Sequence, residues 1–310
     1  MSKVLVSEEN LTNIANAIRE KNGETTTYKP GDMATAIQNI SSGGDPELEA
    51  SFMSSIDSTL GANVTKLPSG ITSIGNGAFR DCSSLALTEL PSGITSIGNN
   101  AFQNCIKLAL TELPSGITSI GDSAFTYCSS LALTELPSGI TSIGNGAFRD
   151  CSSLALTELP SGITSIENSA FQNCINLALT ELPSGITIIR GNAFTYCSSL
   201  ALTELPSGIT SIGSQAFRYC KSLSQITINS NTLSLGTNSF GDCTNLKKII
   251  LPNIVTIPSL SSSTFSGTPI ASGTGYIYVP DTLVDSFKSA TNWSTYADQI
   301  KPISELEASA

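Results

Sequence analysis

LALTELPSGITSIGNNAFQNC, residues 85–105, is followed by LALTELPSGITSIGDSAFTYC at residues 108–128, and the agreement between these two stretches decides the fold. Phe102 and Phe125 belong to a series at positions 79, 102, 125, 148, 171, 194, 217 and 240, and a cysteine stands three residues after each, from Cys82 to Cys243. The series advances by 23 residues without insertion, and Pro68, Pro91, Pro114, Pro137, Pro160, Pro183 and Pro206 keep the same step, skip Asn229 and return at Pro252. A fixed period of this size means one supersecondary unit stacked on copies of itself. Phe265 continues the pattern without a cysteine in register, so the array frays there.

A longer period is superposed. The units read FRDCSSL, FQNCIKL, FTYCSSL and then FRDCSSL, FQNCINL, FTYCSSL, so a block of 69 residues is duplicated. A chain that grows by copying blocks suits a binding surface, which tolerates changes of length, better than an active site, which does not.

Physical chemistry gives one unit its shape. Leu90–Ile94, LPSGI, reads as a type I turn with proline second and glycine fourth. Upstream, Leu85, Thr88 and Leu90 share the register of Leu223, Ile226 and Ile228, whose alternation sends Ile226 and Ile228 inward and Thr227 outward. Glu89 is then expected in solvent, because an unpaired carboxylate in a core is costly. That choice leaves Leu87 half-exposed. Downstream, the spacing of Ile94, Ile97, Ala101, Phe102 and Cys105 predicts a short strand around GITSI and one or two turns of helix at AFQNC. About nine such units, stacked at about 4.8 Å, give a body about 40 Å long. The expected architecture is an α/β repeat solenoid, a right-handed stack of 23-residue coils with a parallel sheet, a helical N-terminal module and a helical C-terminal cap.

Composition excludes several partners. With 25 acidic against 15 basic residues the net charge is -10, which repels phosphate backbones and anionic lipid. Neither nucleic-acid binding nor membrane insertion is expected. MSKVLVSEEN lacks the apolar run of a secretion signal, and no apolar run approaches a membrane span. The chain has no histidine, which excludes histidine triads, histidine acid–base steps and histidine metal ligands. The cysteines are evenly spread rather than clustered in pairs, so they read as small buried thiols and not as a metal site. No catalytic residues, metal or cofactor are expected.

The run SIGNGAFRDCSSL, followed by the LP of the next turn, resembles the BspA-like, or Treponema-type, leucine-rich repeat over about residues 60 to 270. The later CKSLSQITI and CTNLKKIILPNIVTI resemble it better than the middle units, where Thr88 and its equivalents replace an apolar residue. The ending GYIYVPDTLVDSFKSATNWSTYADQIKPISEL is similar to the cap that closes such arrays, with Trp293 expected to be buried in it. The resemblance implies adhesion and recognition with no attached reaction. A second resemblance covers LTNIANAIREKNG and YKPGDMATAIQNI, which are similar to a helical module of phage tail- and baseplate-associated proteins of Gram-positive gut bacteria. There Leu11, Ile14 and Ile18 share one helical face and Met33 and Ile37 lie on a second helix; together they are the candidate docking residues. The chain thus divides into a docking module (1–40), a linker (41–46), a helical cap (47–62), the solenoid (63–273) and a C-terminal strand and helical cap (274–310).

Two surfaces are candidates for contact. Glu89, Glu112, Glu135, Glu158, Glu181 and Glu204, with the adjoining Thr88, Thr111 and Thr134, form an acidic row on the exposed sheet face. Neighbouring charges about 5 Å apart repel by about 0.8 kcal/mol in water, so the row is either a splayed solvated face or an attractor for a basic partner or a divalent cation. The second surface is the variable pair after each phenylalanine, with Arg80, Gln103, Tyr127, Arg149, Tyr196, Arg218 and Tyr219 as contact positions. Their aromatic and polar mixture suits a protein or glycan on a host cell surface. The expected function is non-enzymatic recognition: a phage tail or baseplate protein held to other virion proteins through its N-terminus, with a bacterial cell-surface adhesin as the alternative. Self-association through the Leu11–Ile18 face is expected, unless those residues pack on Met33 and Ile37 within one chain.

Overall fold

The computed structural model describes residue 67 and residues 71–307. The two expected N-terminal helices, with Leu11, Ile14, Ile18, Met33 and Ile37, the linker at 41–46 and the cap helix at 47–62 lie outside the described residues.

The chain winds into a parallel solenoid of 23-residue coils. The serine–isoleucine step of GITSI forms a two-residue strand in successive coils: β1 Ser73–Ile74, β2 Ser96–Ile97, β3 Ser119–Ile120, β4 Ser142–Ile143 and β5 Ser165–Ile166. β6 Ile188–Ile189, β8 Ser211–Ile212 and β10 Ser234–Leu235 continue the series. All pair in parallel, in register with the next coil, as two four-stranded sheets: β1-β2-β3-β4 and β5-β6-β8-β10. The break falls between Ile143 and Ile166. Each SI step is followed by Gly98, Gly121 or Gly144, where a Cβ would come within 2.5–2.6 Å of the preceding coil. Glu167 holds that place in the next coil, and Arg190 holds it one coil further on, where pairing is kept and the Arg190 amide donates to the Ile166 carbonyl at 2.9 Å. The Glu167 carboxylate is bonded 2.8 Å from Arg190, at the same place one coil on.

A second wall, upstream of each turn, forms a sheet only late in the chain. β7 Glu204–Leu205, β9 Gln225–Ile228, β11 Lys248–Ile250, β12 Tyr276–Val279 and β13 Ile300–Pro302 make one parallel sheet in that order. Helices α1 Val284–Ser289 and α2 Ile303–Glu307 and short 3₁₀ turns at Asp281–Leu283 and Trp293–Tyr296 close this end. The indole of Trp293 is buried and donates to the Pro258 carbonyl at 2.7 Å, while Phe287 and Phe265 flank it. β13 is the outer strand, and Lys301 and Pro302 blunt it against pairing with another chain.

The core is a set of ladders. Rings from Phe79 to Phe240 stack with centroids 5.1–5.6 Å apart. The cysteines are buried thiols, and each Sγ from Cys105 to Cys243 donates to the carbonyl of the phenylalanine 26 residues earlier, at 2.9–3.1 Å. The thiol therefore joins one coil to the coil before it. Burial pushes the Cys128 and Cys243 thiols up to about 12.

Three local expectations need correction. AFQNC forms no helix. Within it Ala101, Gln103 and Cys105 donate to carbonyls three residues back, while Asn100, Phe102 and Asn104 donate to the next coil. Asn100 and Asn104 have φ of 55° and 62°, and this left-handed step recurs twice in every coil from Gly77 and Asp81 to Asn238 and Asp242. A helix cannot propagate through it. Leu87 is not half-exposed: it and Leu110, Leu133, Leu156 and Leu179 are fully buried. Thr88 and Glu89 are both turned to solvent, so the chain steps inward at 85, 87 and 90 instead of 85, 88 and 90. The turn also closes one residue later than LPSGI suggested, with the Ile94 amide donating to the Pro91 carbonyl at 3.1 Å. Pro91 is thus the first residue of that turn, and its closure directs Ile94 into the core.

Candidate functional site

Three surfaces present chemistry. The acidic row lies where register placed it: Glu89, Glu112, Glu135, Glu158, Glu181 and Glu204 are exposed, as are Thr88, Thr111 and Thr134. Glu158, Glu181 and Glu204, with the leucines and prolines that follow them, line an open groove of about 730 Å³. Glu112 and Glu135 line a second of about 560 Å³. Among the described residues no cluster of three or more cysteine, aspartate or glutamate side chains is placed to hold a metal ion. The row is an exposed acidic wall.

The run after each SI strand is held by asparagine and aspartate side-chain oxygens. Asn76 Oδ1 accepts from the Asn99 amide at 2.7 Å, Asn99 Oδ1 from the Asp122 amide at 2.8 Å, and Asp122 Oδ1 from the Asn145 amide at 2.6 Å. These groups are used in joining coils, and a groove of about 710 Å³ runs along them.

The third surface carries the variable pairs. Their two members do different things. The first turns toward the body where it is small or an amide: Thr126 and Thr195 are buried, and Gln103 Oε1 is buried without a hydrogen-bond partner, while Arg80 stays exposed. Arg80 is paired with Asp81 at 3.5 Å and Arg149 with Asp150 at 3.2 Å. Arg218 is held by Asp242 at 3.0 Å, and that bond raises its basicity further. The second member sits at the second left-handed position of each coil, as Asp81, Asn104, Tyr127, Asp150, Asn173, Tyr196, Tyr219 and Asp242. Tyr127 and Tyr196 are 41% and 45% exposed, while Tyr219 stacks on Tyr196 with centroids 4.4 Å apart and carries the Arg218 guanidinium 4.7 Å over its ring. The structure therefore splits the seven sequence-derived contact positions. Tyr127 and Tyr196 project, Tyr219 and the arginines support, and Gln103 is partly withdrawn. Ile106 and Ile175, exposed beside this row at 46% and 40%, went unread in the sequence. Their signal was available: every other described coil has serine, lysine or threonine at that place, one residue after the cysteine.

Another patch unread in the sequence lies on the outer face of the C-terminal sheet. Tyr276 is exposed, with the Lys301 ammonium 6.0 Å from its ring centroid. Tyr276 is paired across the sheet with Lys248, and Tyr278 with Lys301.

The sequence signature of the BspA type leucine-rich repeat region matches residues 57–178 and 164–290, in six copies. No curated protein matches the chain. Among solved structures, a leucine-rich repeat protein from Bacteroides ovatus is 28% identical with a TM-score of 0.48, the match covering 69% of this chain and 65% of that one. A leucine rich cell surface protein from Faecalibacterium prausnitzii is 23% identical with a TM-score of 0.39, over 75% of this chain and 81% of its own. A leucine-rich repeat protein of T. pallidum is 35% identical with a TM-score of 0.38, over 44% of this chain and 63% of its own. The chain thus spans just under two thirds of the length of the first and the third.

Proposed function

The chain belongs to the BspA-type leucine-rich-repeat family, and from that premise we propose that it is a non-enzymatic recognition scaffold acting in adhesion at a bacterial cell surface, with the row of second left-handed positions as its contact face. One observation carries this reading. Along that row the backbone repeats from coil to coil, with φ between 58° and 64° from Asp81 to Asp242, while the side chains change among Asp, Asn and Tyr. A rigid frame that holds changing, partly aromatic chemistry toward solvent is what recognition of an extended partner requires. The partner is a glycan or a protein on a host or neighbouring cell.

The test is binding of the labelled full chain to intact host epithelial cells and to neighbouring bacteria. Saturable binding that unlabelled chain competes away is expected; its absence on both removes the reading.

A second reading rests on the N-terminal segment, whose LTNIANAIREKNG and YKPGDMATAIQNI resemble a phage tail or baseplate module. In it, residues 1–40 dock on virion proteins and the same solenoid face meets the host. Capture of a tail or baseplate protein by the full chain, lost on Leu11→Asp with Ile18→Asp, would favour the virion over the cell surface.

A further inference from the structure

The geometry points to two equivalent carbohydrate subsites on the contact face, three coils apart, that together hold a linear, uncharged polysaccharide. This rests on the reading of that face as the contact surface and names its ligand.

Six large apolar side chains are prominently exposed among the described residues, and four of them, Ile106, Tyr127, Ile175 and Tyr196, fall on this one face. Ile175 and Tyr196 stand 69 residues after Ile106 and Tyr127, so the apolar contacts come as one pair repeated three coils on. The polar groups repeat with them. In the first subsite Asn104 donates to Asp81 at 2.5 Å, and Tyr127 is next in the row. In the second Asn173 donates to Asp150 at 2.7 Å, and Tyr196 is next. Each tyrosine is backed from the following coil, Tyr127 by the Arg149 guanidinium at 5.8 Å and Tyr196 by the Tyr219 ring at 4.4 Å. The side of each ring turned to the preceding coil therefore faces the Asp–Asn pair.

The tyrosines are not there for the fold. Tyr127 and Tyr196 have φ of 64° and 63°, a left-handed conformation that Asn and Asp tolerate through local hydrogen bonds. A tyrosine gains no such bond and costs about 1 kcal/mol there. An aromatic ring kept against the backbone's preference and left 41–45% exposed marks a position used for contact.

The chemistry selects the ligand. A tyrosine ring with an aliphatic neighbour suits the C–H face of a pyranose, and a carboxylate beside a carboxamide offers acceptors and donors to its hydroxyls. Protein hot spots sit in enclosed pockets at the centre of a contact. Here the apolar spots are small, flat and separated by about 14 Å, taking the coil rise as about 4.8 Å. A thin chain running along the solenoid reaches both. The net charge of -10 and the aspartates of each subsite select against an anionic polysaccharide.

The experiment is native gel electrophoresis of the full chain through gels containing mixed-linkage β-glucan, xylan, galactomannan or dextran. At least one should retard it. Tyr127→Asn and Tyr196→Asn place at each site the residue that Asn104 and Asn173 already hold in their own coils, so the fold is kept, as an unchanged melting curve would verify. Either variant should weaken retardation about tenfold or more, since it removes two-point attachment, and the double variant should abolish it. Glu158→Gln, on the acidic wall, should leave retardation as it was. The proposal is overturned if none of the four polysaccharides retards the chain, if the double variant is retarded like the parent, or if the single variants each lose only half the effect. Cell binding that persists without polysaccharide retardation would remove this proposal and leave the adhesive reading standing; loss of both would remove both.

Discussion

Between Leu85 and Leu205 the wall upstream of each turn runs LALTEL, whereas from Leu223 it runs LSQITI and then LKKIIL, and the two kinds of wall are built differently on the same core. Where two such walls meet, the junctions are single backbone bonds from alanine to leucine, such as Ala109 to Leu87 at 3.1 Å and Ala132 to Leu110 at 3.2 Å, while the last copied wall, at 200–205, joins the late sheet through β7. In the later coils Ile226, Ile249, Ile277 and Ile300 line up in register as successive inward residues of one sheet. The difference lies in two adjacent polar residues and in the wall that each coil meets. Thr88 and Glu89 both face water, so strict alternation fails and the inward step moves to Leu87; two walls of this kind form no ladder where they meet, whereas Glu204–Leu205 of the last one pairs with the regular QITI strand. Regular alternation in QITI meets no such conflict. The lesson is that a solenoid can trade main-chain pairing for a polar wall as long as the phenylalanine and cysteine ladders hold the coils together.

The largest effect that could break this comparison is at one register position. Leu133 and Gln225 are equivalent residues four coils apart, the first fully buried and the second half-buried. Leu133→Ala should cost about 2–5 kcal/mol, and Gln225→Ala less than about 0.5 kcal/mol, measured by chemical denaturation. Equal costs would mean that the inward step does not move.

Next in size is an effect that both regions should share. Cys128 lies among the copied coils and Cys243 among the later ones, and burial raises both thiols from 9.0 to about 12. The unfolded thiol ionises first, so stability is complete below about pH 9 and declines as pH rises toward 12. Each such thiol contributes a slope of about 1.4 kcal/mol per pH unit in that window. Alkaline titration followed by circular dichroism should show the two regions unfolding together. Separate transitions would mean that the shared ladders do not unite them.

The smallest effect sharpens the account of the polar wall. Glu158→Gln removes repulsion from its neighbours in the row and should stabilise the chain by about 0.5 kcal/mol at low salt. The gain should vanish in high salt, because the wall is solvated and screened.

What was legible in the sequence is what the period fixes. Phe102, Cys105, Ile94 and Ile97 recur at the same step in every copy, and their ladders are where that step places them. The helix expected at AFQNC was misread because Ala101, Phe102 and Cys105 imitate a helical face. The contrary signal was the series Gly77, Asn100, Ser123, Gly146 and Ser169 before each alanine, small or polar residues at a left-handed position. Leu87 was misread because register with Ile226 was trusted over its own side chain. In the candidate site, Tyr127 and Tyr196 were legible as members of the variable pairs after each phenylalanine. Ile106 and Ile175 were not singled out, since their exposure depends on a turn that the expected helix would have removed.

Amide hydrogen exchange resolved to peptides tests the two-wall account most directly. It compares residues 108–114 and 131–137 with residues 222–230 and 246–252 of the same folded chain. The copied wall should exchange at least about a hundredfold faster than the late sheet, because fewer of its amides are bonded to a neighbouring coil. Equal protection in the two would contradict the account, showing that LALTEL is paired as fully as QITI.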